Sequence, residues 1–293
     1  KEISLLNHLI DINYENKTLS INGTGKLVLQ DNHDKINYLI KNKNKTYELE
    51  SSLEINSNPI IIEFLGYESK KDFKTLINLK AKHIIDKKTI IDTFSLNEKK
   101  NKMILKDLTL DKNFKINNFK KINLNYFDKD NLNNKLNIIN DNNNYTAKGS
   151  MFNANTLIDK LTSDDTGKFN LFKNDLSFKL LFDEVYLGEK HYINNLKGNL
   201  NFKKNDITNA NISAEFSKNK KFRLTINSTQ NEKVTTLFLD KAEPIVRRYK
   251  FIKGYEGGAL DYYSSKKGKE TNSTLKIYNF KLKELPALTK LLT

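Results

Sequence analysis

The sequence predicts a mainly β protein built on an antiparallel sheet, with only a few short helices. Along most of its 293 residues, apolar side chains alternate with Lys, Asn, Glu or Ser. This period of two is typical of strands with one dry face and one wet face. The breaks between strands are rich in Asn, Asp, Gly and Lys, which favour turns. A hydrophobic fraction of 38% and a mean hydropathy of −0.63 favour a thin sheet over one thick globular core.

The first half of the chain is predicted to be a series of short antiparallel strands. Alternation begins near Thr18, and between Met103 and Ile139 short alternations recur at roughly the 8–12-residue spacing that is typical of many-stranded β proteins. Pro59 interrupts the pattern, and residues 60–62 are predicted to form a more buried strand that ends at Gly66. Residues 83–86 could begin a helical turn instead of continuing a strand.

The second half is predicted to hold two helices among its strands, at about Asn153–Leu161 and about Lys241–Lys253, and a further helix could begin in the C-terminal tail. At the second helix, Asp240 is expected to accept from the first turn, with Glu243 reaching back and Pro244 in the first turn. Ile245, Tyr249 and Ile252 recur at i, i+4 and i+7, which predicts that they form the apolar face of this helix. Gly254 would end this helix, and strands 259–264 and 273–282 would follow, joined by a turn at Gly268. We divide the chain into residues 1–148 and 149–293. We expect one continuous sheet in both parts, interrupted near the boundary by the first helix.

Three stretches of the second half resemble the C-terminal region of the AsmA-like proteins, a bacterial envelope family. They are DKAEPIVRRYKFIKG from Asp240, YEGGALDYYSS from Tyr255, and TLKIYNFKLKELPALTKLL from Thr274. Upstream, GSMFNANTLIDKL from Gly149 resembles the family's G-x-x-F-D-A-x-P-L entry to a short helix, with Asn153 and Thr156 replacing the usual Asp and Pro. The resemblance covers residues 149–293.

The resemblance implies an elongated, curled sheet whose apolar groove holds acyl chains while lipid headgroups stay in water. The implied function is glycerophospholipid transport through the periplasm toward the outer membrane, without enzymatic chemistry or a cofactor. Tethering to the inner membrane would come from a segment outside this sequence, because no apolar run here approaches the ~20 residues of a membrane span. We interpret the chain as a fragment of a longer protein. The partners expected are phospholipid acyl chains and envelope proteins that the sequence does not identify.

The candidate lining of the groove is a set of apolar residues from the alternating strands of the second half. They are Phe178, Leu180, Phe182, Leu200, Phe202, Ile212, Phe216, Leu224, Ile226, Leu237 and Leu239.

The candidate headgroup contacts are Arg247, Arg248, Lys250 and Lys253, on the predicted basic helix. The chain contains three arginines against forty-seven lysines, so two adjacent arginines stand out from its lysine-rich composition. A guanidinium group offers a planar fork to phosphate or to carboxylate. The same two arginines could instead form salt bridges with carboxylates such as Glu243, Glu256 or Asp261.

Several other classes of site lack the residues they need. Cysteine is absent, which excludes disulfides and thiolate metal sites. The four histidines are far apart and do not show metal-ligand spacing, so no metal site is predicted.

A net charge of +15 admits nucleic acid as a partner. The aromatic residues, however, fall on the same alternating face as Leu and Ile, which favours a core or groove over base stacking.

Two other functional classes remain open from the sequence. The apolar face could be a sealed core in a structural envelope protein that carries no cargo. The chain could also be a lipid or glycan hydrolase whose site has no recognisable motif.

Overall fold

The computed structural model describes residues 3–29, 32–56, 58–70, 73–142, 144–162, 174–188, 190–203, 206–217, 219–249 and 254–283. The fold is mainly β, with about 76% of residues in strands, and the strands form a mostly antiparallel sheet that is not closed. This confirms the predicted fold class at that level. The chain divides into two compact units, 1–143 with 159–174 and 144–158 with 175–293, and each is described by itself. The division falls a few residues before the boundary predicted at 149.

The first unit consists of antiparallel strands joined mainly by tight turns. Its strands are β1 (Ile3–Glu15), β2 (Thr18–Leu29), β3 (Asn32–Lys43), β4 (Thr46–Ile55), β5 (Ile61–Ile62), β6 (Tyr67–Glu68), β7 (Thr75–Ile84), β8 (Lys88–Glu98), β9 (Asn101–Asp111), β10 (Ile116–Asn118), β11 (Lys121–Phe127) and β12 (Asn133–Asp141). The spatial order is β1, β2, β3, β4, β7, β8, β9, β11, β12, and β10 also pairs with β9.

Two turns of this unit show why the strands pair as hairpins. Asn16 and Lys17 both have positive φ, as do Asn44 and Lys45, so each pair forms the kind of two-residue turn that matches strand twist. The proposed helical turn at residues 83–86 does not form. β7 runs to Ile84 and pairs with β8 across a short turn.

The segment between β4 and β7 leaves the main sheet. It contains the small β5–β6 hairpin and a short 3₁₀ helix, Glu63–Leu65, which ends at left-handed Gly66. The predicted buried strand at residues 60–62 is therefore wrong: the strand has only two residues, and Ile61 is exposed. This apolar run pairs with β6 in a small separate sheet, so it does not lie within the main sheet.

The second unit is an eight-stranded sheet with two helices among its described residues. Its elements are β13 (Asn144–Asn153), α1 (Asn155–Thr162, at the division between the units), β14 (Leu176–Gly188), β15 (His191–Lys203), β16 (Asp206–Ser217), β17 (Lys220–Ser228), β18 (Lys233–Leu239), α2 (Glu243–Arg248), β19 (Tyr255–Lys267) and β20 (Glu270–Leu282). Strands β14 to β20 each pair with the next in antiparallel order.

The pairing of β13 with β14 is parallel, so the sheet is mostly but not entirely antiparallel. A parallel pair needs a crossover connection rather than a hairpin, and α1 lies in that connection. The start of α1 agrees with the prediction to within two residues, and the Asn153 side chain accepts a hydrogen bond from the Asn155 N–H at 3.0 Å.

Helix α2 begins two residues later than predicted and is described as far as Arg248, and its predicted cap is wrong. Its N-cap is Ala242, and no side chain caps it. Asp240 instead accepts a hydrogen bond from the Lys221 N–H at 2.7 Å, and so holds the end of β18 beside β17. Pro244 lies in the first turn, as predicted. The predicted C-terminal part of this helix, residues 250–253, and the proposed helix in the tail lie outside the described residues.

Candidate functional site

The candidate apolar residues lie on one face of the second unit. Residues that are directly opposite each other on neighbouring strands project to the same side of a sheet. One set of opposed residues crosses all eight strands, and we call it the central row. The central row consists of Ala147, Leu180, Gly198, Ile212, Leu224, Leu237, Tyr262 and Leu275.

Two further rows run beside the central row on the same face. One consists of Tyr145, Phe178, Leu200, Ala210, Ile226, Thr235, Ser264 and Ser273. The other contains Phe182 opposite Leu196 and, beyond a bulge at Asn195, Phe222 opposite Leu239. Phe202 and Phe216 continue the alternation of their own strands. The register therefore places all eleven candidate lining residues on a common face.

The opposite face carries exposed polar side chains together with exposed aromatic residues such as Phe238 and Tyr263. Lys179, Lys197, Asn211, Ser213 and Arg223 alternate with residues of the apolar face and are all exposed to solvent. Aromatic contacts extend across the apolar face itself. The ring of Phe178 lies 5.1 Å from that of Tyr145 and 6.1 Å from that of Phe202.

Burial differs among the eleven candidate residues. Phe182, Ile212, Ile226 and Leu239 are buried, whereas the other seven are only partly buried. A fully sealed core would bury large apolar side chains at all of these positions. Much of the apolar face in the second unit therefore keeps some accessible surface.

Helix α2 covers one end of the apolar face. Ala242 and Val246 are completely buried and form a cluster with Leu239, Tyr255 and Leu260. Phe216, Phe222, Leu237, Ile245, Tyr262 and Ile277 pack around this cluster. The sequence prediction missed Ala242 and Val246 because it assigned the buried side of the helix to Ile245, Tyr249 and Ile252. Tyr249 is in fact 44% exposed, and Ile252 lies outside the described residues.

Arg248 holds α2 against the rest of the second unit. Its guanidinium donates to Asn155 Oδ1 at 2.7 Å, to the Asn155 carbonyl at 2.7 Å, and to the Leu187 carbonyl at 2.9 Å. These contacts join α2 to the start of α1 and the end of β14. Gly188 lies next to these contacts and has a φ of +106°. An added Cβ at this position would lie 2.8 Å from Asn155 Oδ1.

Arg247 forms a salt bridge with Glu243, which is the alternative to headgroup binding that the sequence left open. It donates to Glu243 Oε1 at 2.9 Å, four residues earlier on the same helix. Lys241 is the second cation near Glu243, at 3.6 Å. Lys250 and Lys253 lie outside the described residues. Both arginines of the candidate headgroup set are thus engaged by groups of the chain itself.

The sequence did not predict the buried hydrogen bonds that hold the β5–β6 segment in the first unit. Glu98 is almost completely buried and accepts from the Tyr67 hydroxyl at 3.0 Å, the Lys70 N–H at 2.7 Å and the Asn101 amide at 2.7 Å. The Tyr126 hydroxyl donates to the Leu65 carbonyl at 2.9 Å. Together these bonds fasten the β5–β6 segment over the ends of the main strands.

The pKa values of Tyr67 and Tyr126 are both raised by this packing. Burial, followed by the nearby Glu98 carboxylate, raises the pKa of Tyr67. Burial, followed by Asp128, raises the pKa of Tyr126. Because Glu98 already accepts three donors from the surrounding chain, it serves better as an anchor than as a general acid or base.

Among the described residues, no group of three or more His, Cys, Asp or Glu side chains is placed to hold a metal ion. No helix in the described part of the chain is long and apolar enough to cross a membrane. Comparisons with protein-family models, with curated proteins and with solved structures found no match. The AsmA-like resemblance therefore rests on the sequence stretches given above.

Proposed function

We propose that the chain binds glycerophospholipid through its acyl chains on the apolar face of the second unit, in a groove formed by curling of the sheet. Transport of that lipid through the periplasm toward the outer membrane, from a protein tethered to the inner membrane, is the corresponding role. The chain would act as a carrier and not as an enzyme.

The main support is the central row. It crosses eight strands, so at about 4.8 Å per strand it extends for roughly 34 Å on one face. Leu180, Leu224 and Leu237 in this row are only partly buried. Each CH₂ group of a bound acyl chain would contribute about 0.8 kcal/mol by leaving water. About ten contacted methylenes would contribute roughly 8 kcal/mol, so contact along much of an acyl chain would hold a lipid reversibly.

A structural protein without cargo is the second candidate, and the α2 cluster favours it locally. There Leu239, Ala242, Val246 and Leu260 are fully buried, as in an ordinary core. In the lipid proposal, this cluster closes one end of the binding face. In the structural alternative, the whole face is core and no lipid enters.

Cross-linking from single cysteines separates the two candidates without introducing a buried charge. Because the chain contains no cysteine, Leu237→Cys and Phe238→Cys each provide one labelling site, on opposite faces of β18. Each variant is labelled with a benzophenone maleimide, mixed with phospholipid vesicles and irradiated. We expect lipid adducts from position 237 and far fewer from position 238.

A pair of aspartate variants provides the second measurement. Leu224→Asp adds a charge to the central row, whereas Asn211→Asp adds the same charge to the exposed face. Mass spectrometry of solvent extracts from the purified proteins should show less bound lipid for Leu224→Asp only. Equal adduct yields at positions 237 and 238, together with undiminished lipid in a folded Leu224→Asp variant, would exclude the carrier proposal.

A further inference from the structure

The exposed hydrophobic residues of the chain are concentrated on two strands. Of the nineteen large hydrophobic side chains that are exposed in the described part of the chain, ten lie on β1 and β20. On β1 they are Leu5, Leu6, Leu9, Ile10, Ile12 and Tyr14, and on β20 they are Leu275, Tyr278, Phe280 and Leu282. Each strand has thirteen residues. Among the described residues, β1 pairs only with β2 and β20 pairs only with β19.

Strand β1 lacks lysine, the side chain that most often protects a sheet edge. Natural edge strands discourage pairing with other chains by carrying charged side chains, lysine above all. β1 contains no lysine, although the chain as a whole has forty-seven. A bulge at Asn7 disturbs its first part, but Leu9–Glu15 is regular and carries Ile12 and Tyr14 about 70% exposed. This segment can accept a further strand.

The two edges are complementary in charge. β1 carries Asp11 and Glu15 and no Lys or Arg, which gives a formal charge of −2. β20 carries Glu270, Lys276 and Lys281, which gives +1. Pairing two copies of β1 would bring four carboxylates together, whereas pairing β1 with β20 brings opposite net charges together.

The apolar faces also match. Ile12 lies opposite Ile21 on the apolar side of β2, and Leu275 lies opposite Tyr262 in the central row. Placing β1 beside β20 can therefore bring apolar side chains together and satisfy unpaired backbone groups on both edges.

We propose that copies of this chain associate head to tail, with β1 of one copy adding to β20 of the next. The occupant of each edge is thus a second copy of the same chain. Such an interface is heterologous, because different surfaces meet, and it can repeat along a series of molecules. This association does not depend on the lipid proposal, because it rests on the strand edges alone.

Cross-linking of mixed single-cysteine variants tests the pairing directly. Ile12→Cys and Leu275→Cys are prepared separately, mixed, and treated with a short bis-maleimide. We expect covalent dimers in this mixture, and little dimer from either variant alone. The matched control mixes Ile12→Cys with Asn211→Cys, an exposed position on the interior strand β16, and should give only background dimer.

A change in association provides an independent readout. Sedimentation velocity of the 293-residue chain should show concentration-dependent species larger than the monomer. The double variant Ile12→Lys/Tyr14→Lys should lose these species while keeping its circular-dichroism spectrum, because both side chains are already exposed. Tyr47→Lys, which adds a lysine on an interior strand, should retain them.

Three outcomes would overturn the proposal. The chain could remain monomeric at all concentrations, or Ile12→Cys alone could give as much dimer as the mixture, which would indicate β1–β1 pairing. The lysine double variant could also associate as strongly as the original chain.

Discussion

Asparagine is the residue that most shapes the turns and bulges of this protein. Fifteen non-glycine residues described here have positive φ, and eight of them are asparagine. Asparagine tolerates the left-handed region better than most residues. Asn7 and Asn195 lie at shifts of register within β1 and β15. The abundance of asparagine therefore serves the backbone conformation of these turns and bulges.

Arg248 and Arg247 are adjacent in sequence but should differ greatly in their contribution to stability. Arg248→Lys removes the planar fork that spans three oxygens, and hydrogen bonds to charged groups contribute about 1.5–3 kcal/mol. We expect the free energy of unfolding to fall by about 2 kcal/mol. Arg247→Lys should change it by less than about 0.5 kcal/mol, because lysine keeps the charge that pairs with Glu243 and the Arg247 side chain is 44% exposed. Urea unfolding of the two variants measures the difference.

The same pair of variants tests the sequence-based prediction that these arginines bind headgroups. If the structural role is sufficient, Arg247→Lys should bind anionic vesicles as the original chain does. Weaker binding by this variant, with unchanged stability, would restore a headgroup role to Arg247.

Tyr67 should link the stability of the first unit to alkaline pH. Its pKa is raised in the folded chain by burial and by Glu98. A raised pKa contributes stability that is complete below the unfolded value of about 10 and is lost as pH rises toward the folded value. Tyr67→Phe should lower the unfolding free energy by about 1–3 kcal/mol at pH 7, because Glu98 loses a buried donor.

Above about pH 10 the loss caused by Tyr67→Phe should shrink, because the variant has no hydroxyl to ionise at this position. Urea unfolding at neutral and alkaline pH measures both effects. Tyr47→Phe, at an exposed tyrosine, is the control at neutral pH and should change stability by less than about 0.5 kcal/mol. A constant difference between Tyr67→Phe and the original chain at all pH values would contradict the linkage.

At the scale of elements, the strands could be predicted from sequence and the connections could not. Alternation is a local signal, so the hairpin strands 259–264 and 273–282 were found and are extended in the structure to Tyr255–Lys267 and Glu270–Leu282. The parallel pairing of β13 with β14 depends on which strands meet across a crossover, and alternation carries no information about that. The cap of helix α2 could not be predicted either, because Asp240 bonds to the backbone of Lys221 on a neighbouring strand and not to the helix.

The candidate face could be predicted for the same local reason. Residues two apart share a face in any regular strand, so Phe178, Leu180 and Phe182 had to project together. The contacts of Arg248 could not be predicted, because Asn155 is ninety-three residues away in the sequence. Likewise, only the folded chain brings Tyr67 to Glu98.

The joint between β14, α1 and α2 should be sensitive to a single methyl group. Gly188 has a φ of +106°, and a Cβ there would lie 2.8 Å from Asn155 Oδ1, the atom that accepts from Arg248. Gly188→Ala should therefore lower the unfolding free energy by about 2–3 kcal/mol, since it combines backbone strain with displacement of a hydrogen-bonded side chain.

Gly268→Ala is the matched control for this joint. Gly268 also has positive φ, at +59°, but nothing lies within 4 Å of the added Cβ. Its loss should be limited to about 1 kcal/mol of backbone strain. Equal losses at the two glycines would mean that the contact with Asn155 contributes nothing.

At the scale of the whole molecule, the chain combines an apolar face with a strongly positive charge. The net charge of +15 attracts anionic surfaces over a range set by salt, whereas burial of acyl chains is not weakened by screening. The two kinds of interaction can therefore be separated by ionic strength.

We expect the chain to sediment with vesicles that contain phosphatidylglycerol at low salt and to be released in about 1 M salt, where the screening length is only about 3 Å. Vesicles of phosphatidylcholine alone should bind it weakly at every salt concentration. If the carrier proposal is correct, lipid bound on the apolar face should remain after the high-salt wash, when the protein is extracted and analysed by mass spectrometry. Loss of that lipid along with the vesicles would show that charge alone holds it, and would leave the central row without cargo.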